Sequence, residues 1–95
     1  MPGYVIFDIR ITDPDAYGPY RERAGATVEA YGGRYVVRGG AHEVIEGDWD
    51  PERVVVVEFP SVERAKEWYA SPEYQEILGL RLRAAPSNTV LVEGV

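Results

Sequence analysis

Alternation of apolar and polar positions organises the start of the chain. From Tyr4 to Ile11, Val5, Phe7, Ile9 and Ile11 point one way, and Tyr4, Ile6, Asp8 and Arg10 the other. That period of two predicts a strand whose first, wholly apolar face lies under helices. Asp13-Pro14-Asp15 then opens a helix, with Asp13 as N-cap and Pro14 at the first helical position. Tyr17, Tyr20, Ala24, Val28 and Tyr31 follow at helical spacing on one face. Gly18-Pro19 predicts a kink in the first turns, and Gly32-Gly33 ends the helix. The middle, Tyr31 to Ser61, reads as a long antiparallel hairpin with strands Arg34–Arg38 and Arg53–Phe59. Its first strand is expected to bend at Gly39-Gly40 and resume as His42–Glu46, before the turn-forming Gly47-Asp48-Trp49-Asp50-Pro51. Val54–Val57 is apolar on both faces, so something must cover both sides of that strand.

Ser61 caps a second helix with Val62, Ala65, Trp68 and Tyr69 inward, and Ser71-Pro72-Glu73 starts a third. Tyr74, Ile77 and Leu78 form the inner stripe of the third helix, and Arg81 continues that stripe as a charge on an apolar face. Pro86-Ser87-Asn88 breaks the helix, and Thr89–Val95 reads as a last strand. The order β-α-β-β-α-β, with the second helix split in two, is that of a ferredoxin-like α+β sandwich. In that topology a four-stranded antiparallel sheet carries helices on one face only, with the first and third strands central. The open apolar face then predicts a homodimer built sheet to sheet.

Composition narrows the classes. At 95 residues the chain is expected to be a single domain, residues 1–95. A net charge of −6 argues against nucleic-acid binding. The apolar runs are too short for a membrane span, no signal peptide is evident, and a cytoplasmic protein is the expectation. With no cysteine and one histidine, no metal set suggests itself, and no cofactor is expected.

Five blocks in order, YGGRYVVRGG, EVIEGDW, VVVVEFPS, AKEWYASPEY and VLVEGV, resemble domain-of-unknown-function family 1330, short bacterial proteins of the dimeric α+β-barrel superfamily. The resemblance implies a fold and a dimer but no activity. The wider superfamily includes cofactor-free monooxygenases of polyketide-type aromatics, muconolactone isomerase and haem-dependent enzymes. Their chemistries transfer only as fold-level analogy.

The candidate chemistry is sparse. His42 is a general base, the axial ligand of haem-binding relatives, or simply an exposed ring beside a glycine bend. Glu58 shares a face with Val54 and Val56 and needs a partner, with Arg38 one strand over and Asp8 on the other side. A Glu58–Arg38 pair reads as a structural ion pair or as a carboxylate clamp with an adjacent base. Arg81, with Tyr74 and Tyr35, either snorkels to the rim or offers a planar fork to an anionic or enolic ligand, in a space walled by Trp68 and Tyr69. Trp49 packs on the partner subunit or lids a cleft. Two functions fit. One is a cofactor-independent enzyme, monooxygenase- or isomerase-like, on a small aromatic or enolic metabolite, with His42 or Glu58 moving a proton. The other is a non-catalytic homodimer that binds a small ligand or acts as a scaffold.

Overall fold

In the computed structural model, which describes residues 1–95, β1 (Gly3–Ile9) alternates as its sequence dictates, with Val5, Phe7 and Ile9 buried. The Asp13 carboxylate accepts from the Ala16 N–H and starts α1 (Pro14–Ala30). The expected interruption at Gly18-Pro19 does not divide it, and α1 is one helix of 17 residues. Pro19 removes a single bond, to the carbonyl of Asp15, an exposed residue that water can serve. Gly32 adopts φ 77°, and the chain reverses into β2 (Arg34–Arg38), which runs antiparallel to β3 (Arg53–Phe59). Ser61 caps α2 (Val62–Ala70), and Ser71 closes it and caps α3 (Pro72–Ala84). The chain ends in β4 (Ser87–Glu93).

The strands form one antiparallel sheet in the order β2-β3-β1-β4, so β1 and β3 are central. This is the expected ferredoxin-like arrangement, with α2 and α3 as the two halves of the split helix. Val5, Phe7, Ile9, Val55, Val57 and Phe59 carry the helices and make the core with Trp68, Tyr74 and Ile77. The other face carries no helix, and only the loop after β2 reaches it, through Trp49 at Asp8. In register across it lie Tyr4, Glu58 and Val92, then Ile6, Val56 and Val90, then Asp8, Val54 and Asn88. Val90 is 55% exposed and Val92 44%.

Two expectations fail in the middle of the chain. The segment His42–Glu46 forms no strand, and residues 39–52 are an irregular loop, exposed from Gly40 to Asp50. Gly39, at φ 72°, turns the chain off the edge strand β2, and the apolar pair Val44 and Ile45 stays outside the sheet. The loop is instead tied back by side chains. His42 Nε2 lies 2.9 Å from the Pro51 carbonyl, and Trp49 Nε1 donates to Asp8 Oδ2 at 2.9 Å. The second difference is a β-bulge between Tyr35 and Val37. One extra residue there reverses every later side chain of β2. Val37 therefore pairs with Val56 on the open face, and Arg38 pairs with Val55 under the helices.

Candidate functional site

The bulge sends Arg38 to the same side of the sheet as a set of tyrosines. On α1, Tyr17 and Tyr20 are three residues apart and face the sheet with ring centroids 5.6 Å apart. Arg21 lies one turn beyond Tyr17. Tyr35 and Arg38 come from β2, Arg53, Val55 and Val57 from β3, and Phe7 and Ile9 from β1, with Trp68 of α2 closing the inner end. Together they bound a cavity between α1 and the sheet, whose empty space is near 410 Å³ when the open solvent at its mouth is counted. Only about 20 Å³ of it is wide enough for the centre of a water molecule, room for about one water as the side chains stand.

The rim and the floor differ in kind. Arg21 and Arg38 at the rim are exposed, and Arg53 and Tyr35 are half-buried, whereas Tyr17, Tyr20 and Trp68 below them are buried. Arg38 lies over the Tyr35 ring, 4.3 Å from its centroid. Arg53 packs its guanidinium against Gly39, and its Nε is buried without a hydrogen-bond partner. The ion pairs of the molecule are Arg10–Glu52, Arg23–Glu76, Arg34–Glu58 and Arg64–Glu67. None uses a rim arginine. Three guanidinium groups without carboxylates thus converge on one opening in an acidic chain. Burial raises the pKa of the Tyr35 hydroxyl, while the nearby Arg38 and Arg53 charges pull it the other way.

Below the floor the polar chain continues. The Tyr20 and Tyr74 hydroxyls are 2.9 Å apart and buried. Burial comes first among the effects that raise both pKa values, so both rings stay neutral. Tyr74 packs on Trp68 at 4.1 Å, and Trp68 Nε1 donates to Thr27 Oγ1 at 3.0 Å. Behind Tyr74 sits Arg81, only 3% exposed. Burial is the largest influence and opposes its charge, but the surrounding Tyr74, Tyr20 and Tyr69 act the other way, and its pKa stands above the ordinary arginine value. It has no carboxylate partner. Its Nη1 donates to the Ala85 carbonyl at a long 3.4 Å, its Nε has no partner, and its carbon lies 5.6 Å from the Phe7 ring centroid.

Of the residues singled out in the sequence, Arg38, Tyr35 and Trp68 line this cavity, while Tyr74 and Arg81 lie directly behind it. Tyr69 does not line it. Tyr69 is 39% exposed on the outer side of α2, beside a groove against β4 with Val5, Ala65, Lys66, Thr89 and Leu91. His42 sits on the exposed loop. Glu58 lies on the open sheet face and does not pair with Arg38, because the bulge carries Arg38 through to the other side. Its carboxylate instead accepts from Arg34 Nε at 2.8 Å and from the Tyr4 hydroxyl at 3.0 Å. Those two bonds, the arginine's first, hold its pKa below the ordinary carboxylate value. No cluster of three or more His, Cys, Asp or Glu side chains is placed to hold a metal ion.

Sequence reasoning missed Arg21, Arg53, Tyr17 and Tyr20 as site residues. The signals were present: Arg53 alternates onto the face of Val55, Val57 and Phe59, and Arg21 follows Tyr17 by one helical turn.

Comparison with known proteins fits this geometry into a wider group. No curated protein matches the chain in sequence. Among solved structures, the RPA0582 protein of Rhodopseudomonas palustris, of unknown function, is 24% identical, with a TM-score of 0.78 over 99% of this chain and 82% of that one. SnoaB, a cofactor-independent oxygenase from Streptomyces nogalater, is 12% identical, with a TM-score of 0.63 over 99% and 92% of the two chains. Rv0793 from Mycobacterium tuberculosis is 20% identical, with a TM-score of 0.59 over 100% and 96%. At these identities the likeness is one of fold. The profile of a family described as Domain of unknown function (DUF1330) matches residues 2–95, and the chain belongs to that family.

Proposed function

We propose that the cavity between α1 and the sheet binds a small aromatic or enolic anion, on which the protein acts as a cofactor-independent enzyme. The observation that carries this reading is the rim: Arg21, Arg38 and Arg53 converge there without a carboxylate partner. Planar guanidinium groups recognise carboxylates and enolates, and the rings below supply faces for stacking. Closed as it stands, the cavity opens by rotation of Arg38, exposed at its rim, and of the half-buried Tyr35 on which it lies. Neutral tyrosine hydroxyls suit hydrogen bonding to an oxyanion and proton exchange with it. The fold shared with SnoaB makes cofactor-independent oxygenation the first reaction to assay.

The binding reading has a direct test, because Trp68 lines the cavity. In a Trp49→Phe background, titration with small aromatic carboxylates should quench Trp68 emission saturably. Arg38→Ala should weaken binding by roughly tenfold, the loss of one charge-assisted contact. A wild-type protein that binds no member of a broad panel would refute the reading.

A homodimer through the open sheet face belongs to the same proposal. The supporting observation is the row Val90, Val92, Val54, Val56 and Ile6, an apolar surface on the side the helices leave bare.

A further inference from the structure

Three arginines reach the opening of the cavity, and they are not held alike. Arg21 and Arg38 are exposed, and Arg38 rests on the Tyr35 ring. Arg53 is half-buried on the central strand β3, in register with Ile9 of β1. The residue before it, Glu52, accepts from the Ile11 N–H at 2.7 Å, which pins the start of the strand to the end of β1. The Arg53 guanidinium fills the space in front of Gly39. A Cβ there would stand 2.5 Å from Cζ and 3.0 Å from Nη2, with Nη1 closer than either. Gly39 is itself fixed, at φ 72° with its N–H donated to the Val54 carbonyl at 2.9 Å. An arginine offers a carboxylate two parallel donors along its Nε–Nη2 edge. With Nη1 against Gly39, that edge is the one turned away from the glycine, and its Nε–H is buried without an acceptor. A buried donor left unsatisfied destabilises the fold, and an acceptor supplied by a ligand removes the penalty.

We propose that Arg53 is the residue that selects the ligand, binding a carboxylate through its Nε–Nη2 edge, and that Gly39 is the residue that positions it. The proposal rests on the binding reading above and names the donor that decides it. Arg21 and Arg38 then have a separate part. Exposed charges draw an anion to the opening and lose force as salt rises, whereas a packed, partly desolvated guanidinium holds it. A long side chain that is free in solution loses rotamer freedom on binding, and Arg53 is ordered before the ligand arrives. The anionic group accordingly sits inside the rim, and the ring that carries it lies toward Tyr17, Tyr20 and Trp68. Any side chain at position 39 would displace the guanidinium, so this glycine serves the site as well as the turn.

3-Nitrobenzoate serves as the probe, because a nitro ring quenches tryptophan emission and Trp68 lines the cavity. Titrations are run in the Trp49→Phe background at low and at high salt. Arg53→Met should weaken binding by roughly ten- to hundredfold at both, the range for hydrogen bonds to a charged group. Arg21→Ser should weaken it by about threefold at low salt, and the loss should fade at high salt. Arg53→Lys keeps the charge and loses the fork, so it should still bind at least about tenfold more weakly, and it carries the test if Arg53→Met does not fold. In a structure of the wild-type protein with the probe, a carboxylate oxygen should lie about 2.7–2.9 Å from Arg53 Nε. Gly39→Ala should weaken binding on its own and change nothing in the Arg53→Met background, where its cost in Tm should also be smaller. Equal costs in the two backgrounds would reduce Gly39 to a turn residue and overturn its part in the site. Arg53 variants that bind like the wild type, or a carboxylate seen on Arg21 and Arg38 alone, overturn this inference and leave the binding reading standing. If 3-nitrobenzoate does not bind the wild-type protein this inference falls, and if no other aromatic carboxylate binds, the binding reading falls with it.

Discussion

Arg81→Met should make the protein more stable, and the size of the gain follows from the surroundings of the guanidinium. A charged group that is 3% exposed, with no carboxylate and with its Nε unbonded, forfeits hydration that the fold does not return. A buried donor left unsatisfied costs about 1–3 kcal/mol. Against its removal stand a weak bond to the Ala85 carbonyl at 3.4 Å and the contact with the Phe7 ring at 5.6 Å, the latter worth about 0.5–1 kcal/mol. Tyr74 keeps its bond to Tyr20. Methionine is unbranched and flexible enough to follow the arginine stem through the same packing. The balance is a stabilisation of about 1–2 kcal/mol, or roughly 4–16 °C in Tm for a protein of this size. Thermal unfolding followed by circular dichroism, at fixed protein concentration, measures it directly. A fall in Tm would refute the reasoning, because it would mean that the charge has a partner in the folded assembly.

Two further outcomes are expected. The folded pKa of Glu58 is lowered, so its contribution to stability is complete above the unfolded value of 4.5 and is lost as pH falls through the folded value. Glu58→Gln should therefore flatten the decline of Tm below about pH 4.5, and an acid limb identical to the wild type would show that the Arg34 and Tyr4 bonds do not favour the charged form. Val92→Asp places a carboxylate in the open apolar face and should convert a dimer to a folded monomer in light scattering. A wild-type protein already monomeric at low micromolar concentration would remove the sheet-to-sheet interface.

Much of the frame was legible because local chemistry decides it. Both hairpin strands, Arg34–Arg38 and Arg53–Phe59, run as their β-branched residues predict, and Asp13, Ser61 and Ser71 cap helices as their side chains allow. Arg81 announced itself as a charge on an apolar stripe. The segment His42–Glu46 misled because Val44 and Ile45 carry strand propensity, while the left-handed turn at Gly39 takes the chain away from the sheet before it reaches them. The site was less legible for a different reason. Period-two reading assumes unbroken alternation, and nothing in RYVVR shows that Val36 is the bulged residue, so Arg38 was assigned to the face of Glu58. Arg21 and Arg53 are remote in sequence from Arg38, and only the packing of α1 across the sheet joins them.

That bulge ties two properties of the molecule to a single backbone residue. Were Val36 drawn into the ladder, so that all five residues of β2 alternated plainly, two side chains would trade places. Arg38 would emerge among the valines of the open face, and Val37 would take its position beside Tyr35 under the helices. A slip of one residue thus separates a chain with a basic pocket and an apolar outer face from one with an apolar pocket and a charged outer face. The proposed ligand capture and the proposed self-association share that one irregularity, and deleting Val36, which keeps both partners of β3 in register, is the change that would leave the two faces as they are.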